Sequence, residues 1–316
     1  MRDDDRLYLV LPLYHSAGGM IGVGLMFSHG ITLVLRRKFS TSNFLPDIKK
    51  YRCTTFQYIG ELCRYLMTIP PSAQDTDHNL RLAFGNGLRP DIWEAFQKRF
   101  NIPYVGEFYS ATEGNVTVFN FVGPDGEGRG AVGRVGPLMK AFVSATTVKF
   151  DVVKEEPIRG KNGFCIRCPH NEIGELIGAI DMSDPTKAFE GYYGNKAGTE
   201  KKILRNVFKK GDMWFRTGDL LRVDDKGYFY FCDRIGDTFR WKGENVSTTE
   251  VAEVLSVFPG VKEVNVYGVE VKGADGRAGM AAMVLDDNID LKGLATHAIK
   301  DLPSYAVPVF LRKLPE

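Results

Sequence analysis

The chain has 316 residues, 44% hydrophobic and 25% charged, which fits a globular protein with room for two domains and excludes a disordered polymer. Lys and Arg number 41 against 39 Asp and Glu, a formal net charge of +2, so charge gives no support to nucleic-acid binding. Five cysteines, an odd number in a long chain, fit reduced thiols facing a cytosol better than a disulfide framework.

Met1 is followed by Arg2-Asp3-Asp4-Asp5-Arg6, and those acids are wrong for a cleavable signal peptide. Residues 7–35 then carry no Asp, Glu, Lys or Arg, a run long enough to span a bilayer. Pro12, Ser16, Ser28, two histidines and five glycines interrupt it. The preferred reading is therefore two buried strands, 7–13 and 31–35, around a packed helix at 18–27, with membrane contact as the alternative. Residues 55–59 read as a strand and 61–67 as a helix ended by Pro70-Pro71. Pro90 opens a helix in which Ile92, Trp93, Phe96 and Phe100 recur at helical spacing. The glycine-rich stretch 123–136 reads as a loop.

Cys165 and Cys168 form one Cys-x-x-Cys with His170 behind it, but only Cys232 follows, far away, so buried thiols are expected rather than a metal site. Lys201, Lys202, Arg205, Lys209 and Lys210 surround Ile203, Leu204, Val207 and Phe208. That segment reads as a helix with one solvated face, anionic lipid contact being the alternative. Residues 224–227 read as the turn between strands 220–223 and 228–232.

After Asp233 the pattern changes. Ser247 and Glu250 form a capping box ahead of Val251, Val254, Leu255 and Phe258, and Pro259-Gly260 stops that helix. Strands are expected at 264–269 and 280–285, then a helix with Leu291, Leu294, Ala295, Ala298, Ile299 and Leu302 on one face. The alternation upstream predicts an α/β fold with mixed sheets and helices. The expected division is a large domain at 1–233, a hinge at 234–237 where Gly236 allows a pivot, and a small α+β domain at 238–316.

Three polar strings stand out: Glu107-Phe108-Tyr109-Ser110-Ala111-Thr112-Glu113-Gly114-Asn115, then Trp214-Phe215-Arg216-Thr217-Gly218-Asp219, then the run from Asp233-Arg234 to Trp241-Lys242-Gly243-Glu244-Asn245. Singly, each is most simply a turn or a surface ion pair. In this order and spacing they resemble the nucleotide site of the adenylate-forming enzymes. Such a site needs a carboxylate for ribose hydroxyls, and Asp219 is the candidate. Arg234 suits the ribose or a phosphate oxygen through its planar fork. Glu113 is the candidate Mg²⁺ ligand, and the Thr112 hydroxyl the candidate donor to an α-phosphate oxygen. Tyr109 offers a flat face for adenine, and Gly85-Asn86-Gly87 lets backbone come close to the base.

Longer strings narrow the resemblance. Gln57-Tyr58-Ile59-Gly60-Glu61-Leu62-Cys63-Arg64-Tyr65-Leu66 and Leu82-Ala83-Phe84-Gly85-Asn86-Gly87-Leu88-Arg89-Pro90 are similar to the fatty acid transport protein family, also called very long-chain acyl-CoA synthetases. The resemblance covers essentially the whole chain. It implies that Thr112 and Glu113 belong to the ATP/Mg²⁺ motif and that Tyr109 stacks on adenine. It assigns Asp219 to the ribose and Arg234 to the opening of the hinge motif. Lys242, Gly243 and Glu244 would lie near CoA, and His15 near the acyl and CoA channels, its alternative being a histidine buried beside a strand end.

The family's phosphate loop is expected before Leu7 and its catalytic lysine after Pro308, and neither stands in this chain. The expectation is therefore a partial adenylation domain followed by an incomplete C-terminal domain. Function is expected to be ATP-dependent conversion of long or very long-chain fatty acids to acyl-CoA, linked to fatty acid uptake and impaired in this chain alone. The alternatives are a non-catalytic lipid- or AMP-binding scaffold and another acyl substrate such as a bile acid. Expected ligands are ATP, Mg²⁺, CoA and fatty acid. The expected place is the cytosolic face of a membrane.

Overall fold

Apolar runs buried on both faces build the centre of the first sheet, as parallel strands require, but the run at 32–35, expected to be buried, lies at the sheet's edge with Leu35 52% exposed. The computed structural model describes residues 1–111, 114–136, 139, 143–272 and 276–315. One unit comprises the described residues of 1–112, 117–140 and 226–230. Its strands are β1 (Arg6–Leu9), β2 (Thr32–Leu35), β3 (Thr55–Ile59), β4 (Leu82–Asn86), β5 (Tyr104–Ser110) and β6 (Thr117–Val122). They lie in the order β2-β1-β3-β4-β5-β6, parallel except for the β5–β6 pair. Because β1 sits between β2 and β3, the winding reverses there. The crevice beyond the carboxyl ends of β1 and β3 is the place where open sheets of this kind receive ligands.

Tyr8, Phe44, Phe56, Tyr58, Trp93, Phe96 and Phe100 are fully buried and form the centre of this unit's core. They come from the sheet, from α2 (Thr41–Lys50) and from α4 (Pro90–Arg99) with Phe100, the residue that ends it. Pro90 stands in the first turn of α4, as expected. The helix α3 (Gly60–Thr68) follows β3 directly. The stretch 123–136 is a loop apart from the two-residue strand β7 (Gly133–Arg134), which pairs with Tyr228 and Phe229.

Between β1 and β2 the chain winds as a π-helix over Ala17–Val23 and then as α1 (Gly24–His29). The expected packed helix is corrected in one respect: it packs through backbone, not side chains. Only Gly18 and Gly22 of the winding are buried, while Met20 and Phe27 are 77% and 80% exposed. A Cβ on Gly18 would meet the Pro12 carbonyl oxygen at 2.4 Å, so a glycine is needed for the turn to sit on the strand's exit. Among the described residues no helix is long and apolar enough to cross a membrane.

The second unit holds the described residues of 113–116, 141–225 and 231–316. Its strands begin with β8 (Ala145–Val148), β9 (Phe150–Asp151) and β10 (Glu156–Pro157), the last two forming a small antiparallel pair. β11 (Ile173–Ala179) lies between β8 and the long strand β13 (Met213–Val223). The short helix α5 (Lys196–Lys201) precedes β12 (Ile203–Arg205), which pairs with β13. Beyond Lys201, the last residue of α5, the basic segment 202–210 is thus no helix. The Asp212 carboxylate accepts the backbone N–H groups of Val207, Phe208 and Lys209 at 2.6, 3.0 and 3.3 Å, which folds the chain into a turn and buries Val207.

Tyr228–Arg234 forms β14, of which the residues from Phe231 onward belong to this unit. Beyond it a separate core gathers residues from Phe239 to Ala306. It contains the hairpin β15 (Phe239–Trp241) and β16 (Glu244–Val246), then α6 (Thr248–Ser256), β17 (Val261–Glu270), β18 (Arg277–Leu285), α7 (Leu291–Asp301) and β19 (Phe310–Leu314). β17 and β18 are antiparallel, and β19 adds in parallel to β18, a strand the sequence pattern does not announce. On α7, Leu294 and Ala298 are buried. Leu291 and Ile299, expected on the same face, are more than half exposed because the stripe is narrower than the sequence suggests.

Candidate functional site

In the first unit, register brings three residues into one row. Tyr58 of β3 and Glu107 of β5 both stand beside Gly85 of β4. A Cβ on Gly85 would meet the Tyr58 ring at 2.6 Å and the Tyr58 carbonyl oxygen at 2.1 Å. The glycine therefore lets the ring lie across β4, and its hydroxyl donates to Glu107 Oε2 at 2.6 Å. The other carboxyl oxygen, Oε1, accepts the backbone N–H groups of Gly87 and, at 3.2 Å, Leu88. Close packing inside the sheet is thus the reason for a glycine at 85. Gly87 answers a different need, a left-handed turn at φ +77°.

Glu107 is 1% exposed. Burial pushes its carboxyl up to about 8, although the hydrogen bonds from Tyr58, Leu88 and Gly87 favour the charged form. The neighbouring Tyr58 hydroxyl and Cys63 thiol are likewise driven well above their ordinary ranges, first by burial and then by the Glu107 charge. Neither Tyr58 nor Glu107 is a candidate on sequence grounds. The available signal is an acid set in the apolar strand Val105-Gly106-Glu107-Phe108.

Tyr109 is half-buried on β5 opposite Val118. His15 is exposed in the turn leaving β1, against the alternative of a buried histidine, with its ring 4.5 Å from that of Tyr14. The loops bearing His15 and Gly87, and Gly60 at the start of α3, all follow the carboxyl ends of parallel strands. Thr112 and Glu113 lie outside the described residues. The far end of their motif, Asn115, belongs to the second unit and donates to the carbonyls of Ala179 and Lys187, both at 2.8 Å.

In the second unit a bulge aims Asp219. Pairing of β11 with β13 runs from Ile177–Arg216 to Glu175–Leu220, so only Leu176 stands opposite Thr217, Gly218 and Asp219. Bulges re-aim side chains in this way. The Thr217 hydroxyl closes the gap, donating to the Leu176 carbonyl at 2.7 Å and accepting the Asp219 N–H at 3.1 Å. Gly218 takes φ +81°, and its carbonyl accepts the Ile235 N–H at 2.9 Å. Arg216 braces the bulge from below through bonds of 2.9 to 3.1 Å to Glu175, which is fully buried. Desolvation raises the Glu175 carboxyl despite that arginine.

Arg234 Nε lies 3.3 Å from Asp219 Oδ1; the arginine side chain is 71% exposed and the aspartate side chain 10%. The structure thus brings together two residues that the sequence offers separately. Asp233 is not a surface ion-pair partner. It is 2% exposed and accepts from Thr238 Oγ1, Thr248 N, Thr248 Oγ1 and Thr249 Oγ1 at 2.8 to 3.3 Å, capping α6. Gly236 between them takes φ +94° with open space where a Cβ would stand. Lys242 and Gly243, at φ +51° and +84°, form the two-residue turn of the β15–β16 hairpin, and with Glu244 they are exposed at its tip.

Among the described residues no group of three His, Cys, Asp or Glu side chains is placed to hold a metal. Glu113, the residue expected to hold Mg²⁺, lies outside them. Cys53, Cys63 and Cys165 are buried and Cys168 and Cys232 half-buried; burial is the leading cause that raises all five thiols.

A family model described as AMP-binding enzyme matches residues 1–171. The chain is 49% identical over 310 residues to long-chain fatty acid transport protein 2 of Rattus norvegicus, covering 98% of this chain and 49% of the relative. It is 48% identical over 314 residues to long-chain fatty acid transport protein 3 of Homo sapiens, covering 99% and 45%. The chain thus spans about half the length of the curated relatives it matches. Among solved structures, ATP-bound MatB of Rhodopseudomonas palustris superposes with a TM-score of 0.77 at 23% identity, over 100% of this chain and 57% of that one. The Bacillus subtilis o-succinylbenzoate CoA synthetase with its acyl-adenylate gives 0.74 at 23%, over 100% and 58%. At that identity the likeness is one of fold: the mixed α/β architecture of adenylate-forming enzymes.

Proposed function

The chain belongs to the AMP-binding enzyme family, and from that premise we propose that it carries nucleotide-binding elements of an ATP-dependent ligase joining long or very long-chain fatty acids to CoA. The observation that carries this reading is the bulge that holds the Asp219 carboxylate beside Arg234. A nearly buried carboxylate on a rigid strand suits two ribose hydroxyls, which donate to it. The Arg234 guanidinium suits a phosphate oxygen. The similarity to long-chain fatty acid transport proteins supports a long-chain acyl substrate.

In this reading a fatty carboxylate oxygen attacks the α-phosphorus of ATP, an acyl-phosphate bond forms, and pyrophosphate leaves. The CoA thiolate then attacks the acyl carbon and AMP leaves. Tyr109 stacks on adenine and the Gly85–Gly87 turn borders it; Thr112 donates to the α-phosphate, and Glu113 is the Mg²⁺ ligand. Orientation and fixed dipoles do most of the work in such transfers. For the second step residues 238–316 turn about 234–237, bringing Lys242, Gly243 and Glu244 to CoA, with His15 near the acyl and CoA channels. Open space at Gly236 and the separate core after Phe239 support that pivot. Membrane contact at the cytosolic face is part of the same reading.

The test is calorimetric titration of AMP into the chain. Saturable binding that is lost in Asp219→Ala supports the reading; equal binding by that variant overturns it. Fatty acid-dependent release of pyrophosphate from ATP separates a ligase from a non-catalytic adenylate-binding protein.

A further inference from the structure

Four acids of the first unit are almost wholly buried: Asp5, Asp47, Asp75 and Glu107. Three are matched by arginines, Asp5 by Arg81, Asp47 by Arg36 at 2.6 Å and Asp75 by Arg99 at 2.8 Å. Among the described residues Glu107 is matched by no cation. It meets two backbone N–H groups and a tyrosine hydroxyl instead. A buried carboxyl without a counter-charge costs folding free energy, and such groups concentrate where a fold needs a fixed geometry.

The geometry tells what is fixed. Glu107 stands beside Gly85, but its Oε1 reaches forward to Gly87 and Leu88, past Asn86 at the end of β4. The turn therefore hangs from the next strand by one oxygen. Behind it, the Gly87 carbonyl lies against Gly60, where a Cβ would be 1.6 Å away. The turn is clamped on one side by packing and on the other by an acceptor.

We propose that Glu107 is a positioning residue for adenine recognition, its side-chain oxygen setting the path of the 85–88 turn beside the base. This rests on the nucleotide reading given above. Glu107 touches no ligand; it acts through the Gly87 and Leu88 N–H groups. The network also accommodates a proton on Glu107. Oε2–H then donates to the Tyr58 oxygen, and the Tyr58 hydroxyl turns to its second acceptor, the Gly106 carbonyl at 3.3 Å. Oε1 becomes a weaker acceptor and holds the turn less firmly. The other titratable groups facing Glu107 are Tyr58 from β3 and Cys63 from α3.

The test uses adenosine, which has no phosphate to titrate, and AMP. Both are titrated into wild type, Glu107→Gln and Glu107→Leu, with folding checked by thermal denaturation. Gln keeps an oxygen acceptor and is expected within a few-fold of wild type. Leu is expected to weaken both ligands by about tenfold or more. A folded Leu variant with wild-type affinity overturns the proposal. A second readout does not depend on the Leu variant folding. Wild-type affinity for adenosine should rise as pH passes through about 8, while Glu107→Gln stays flat. Identical profiles for the two proteins overturn it. A wild-type chain that binds neither ligand overturns the nucleotide reading itself, and this inference with it.

Discussion

Gly60 and Gly87 meet with no room for a side chain between them: a Cβ on Gly60 would stand 1.6 Å from the Gly87 carbonyl oxygen. The packing of the start of α3 on the turn after β4 therefore requires glycine at 60, while the left-handed φ of +77° favours it at 87. The obstacle is backbone, which cannot swing aside as a long side chain does. Gly60→Ala is expected to destabilise the chain by about 2 kcal/mol or more, as overpacking does. Gly87→Ala makes only an ordinary contact, 3.9 Å to the Gly60 nitrogen, but keeps a left-handed backbone, for a cost of about 1–2 kcal/mol. Denaturant midpoints of the two variants should fall in that order.

Thr217→Val keeps the shape of the side chain and removes the hydroxyl that closes the bulge. The Leu176 carbonyl loses its donor and the Asp219 N–H its acceptor. The expected loss is about 1–2 kcal/mol in urea unfolding. AMP affinity should fall as well, since Asp219 is then aimed less firmly. Serine at 217 should restore both.

Asp233 ties the end of β14 to the first turn of α6. Asp233→Ala leaves Thr248 N and three hydroxyls without that acceptor, for an expected cost of about 2 kcal/mol. Hydrogen exchange should localise the loss to the first turn of α6 and to residues 234–238, with β3 and β4 unchanged.

The sign of one pH effect follows from Glu107. Below its ordinary value of 4.5 the group is protonated in folded and unfolded chains alike. Between 4.5 and about 8 the unfolded chain releases the proton and the folded chain keeps it. Stability from this group thus falls as pH rises through that window and levels off above it. Glu107→Gln should remove the slope, so wild type loses ground against the variant by on the order of a few kcal/mol. Unfolding curves of both proteins at several pH values measure the difference.

Legibility in the sequence tracked the range of the interaction. Thr55–Ile59 is a strand and Pro90–Arg99 a helix because adjacent residues and a proline at the first turn decide them. The capping serine of α6 is equally local: its hydroxyl accepts the Glu250 N–H at 3.2 Å. The strings carrying Asp219 and Arg234 are recognisable one by one, whereas their ion pair is set by the fold and is not readable. The row Tyr58–Gly85–Glu107 is not readable either, since it depends on the register of three strands that no local pattern sets. The segment 201–210 misleads for the same reason. Its alternation of cations and apolar residues suggests a helix, while Asp212, just beyond it, turns the chain.

The buried thiols have a practical side. Alkylating reagents attack thiolate, and burial keeps Cys53, Cys63, Cys165, Cys168 and Cys232 protonated at neutral pH. The native chain is therefore a quiet background for maleimide chemistry. A cysteine introduced in place of Glu244, on the exposed hairpin tip, would be the fast-reacting thiol. A single dye there would report on the surroundings of the hairpin tip, with no native cysteine removed.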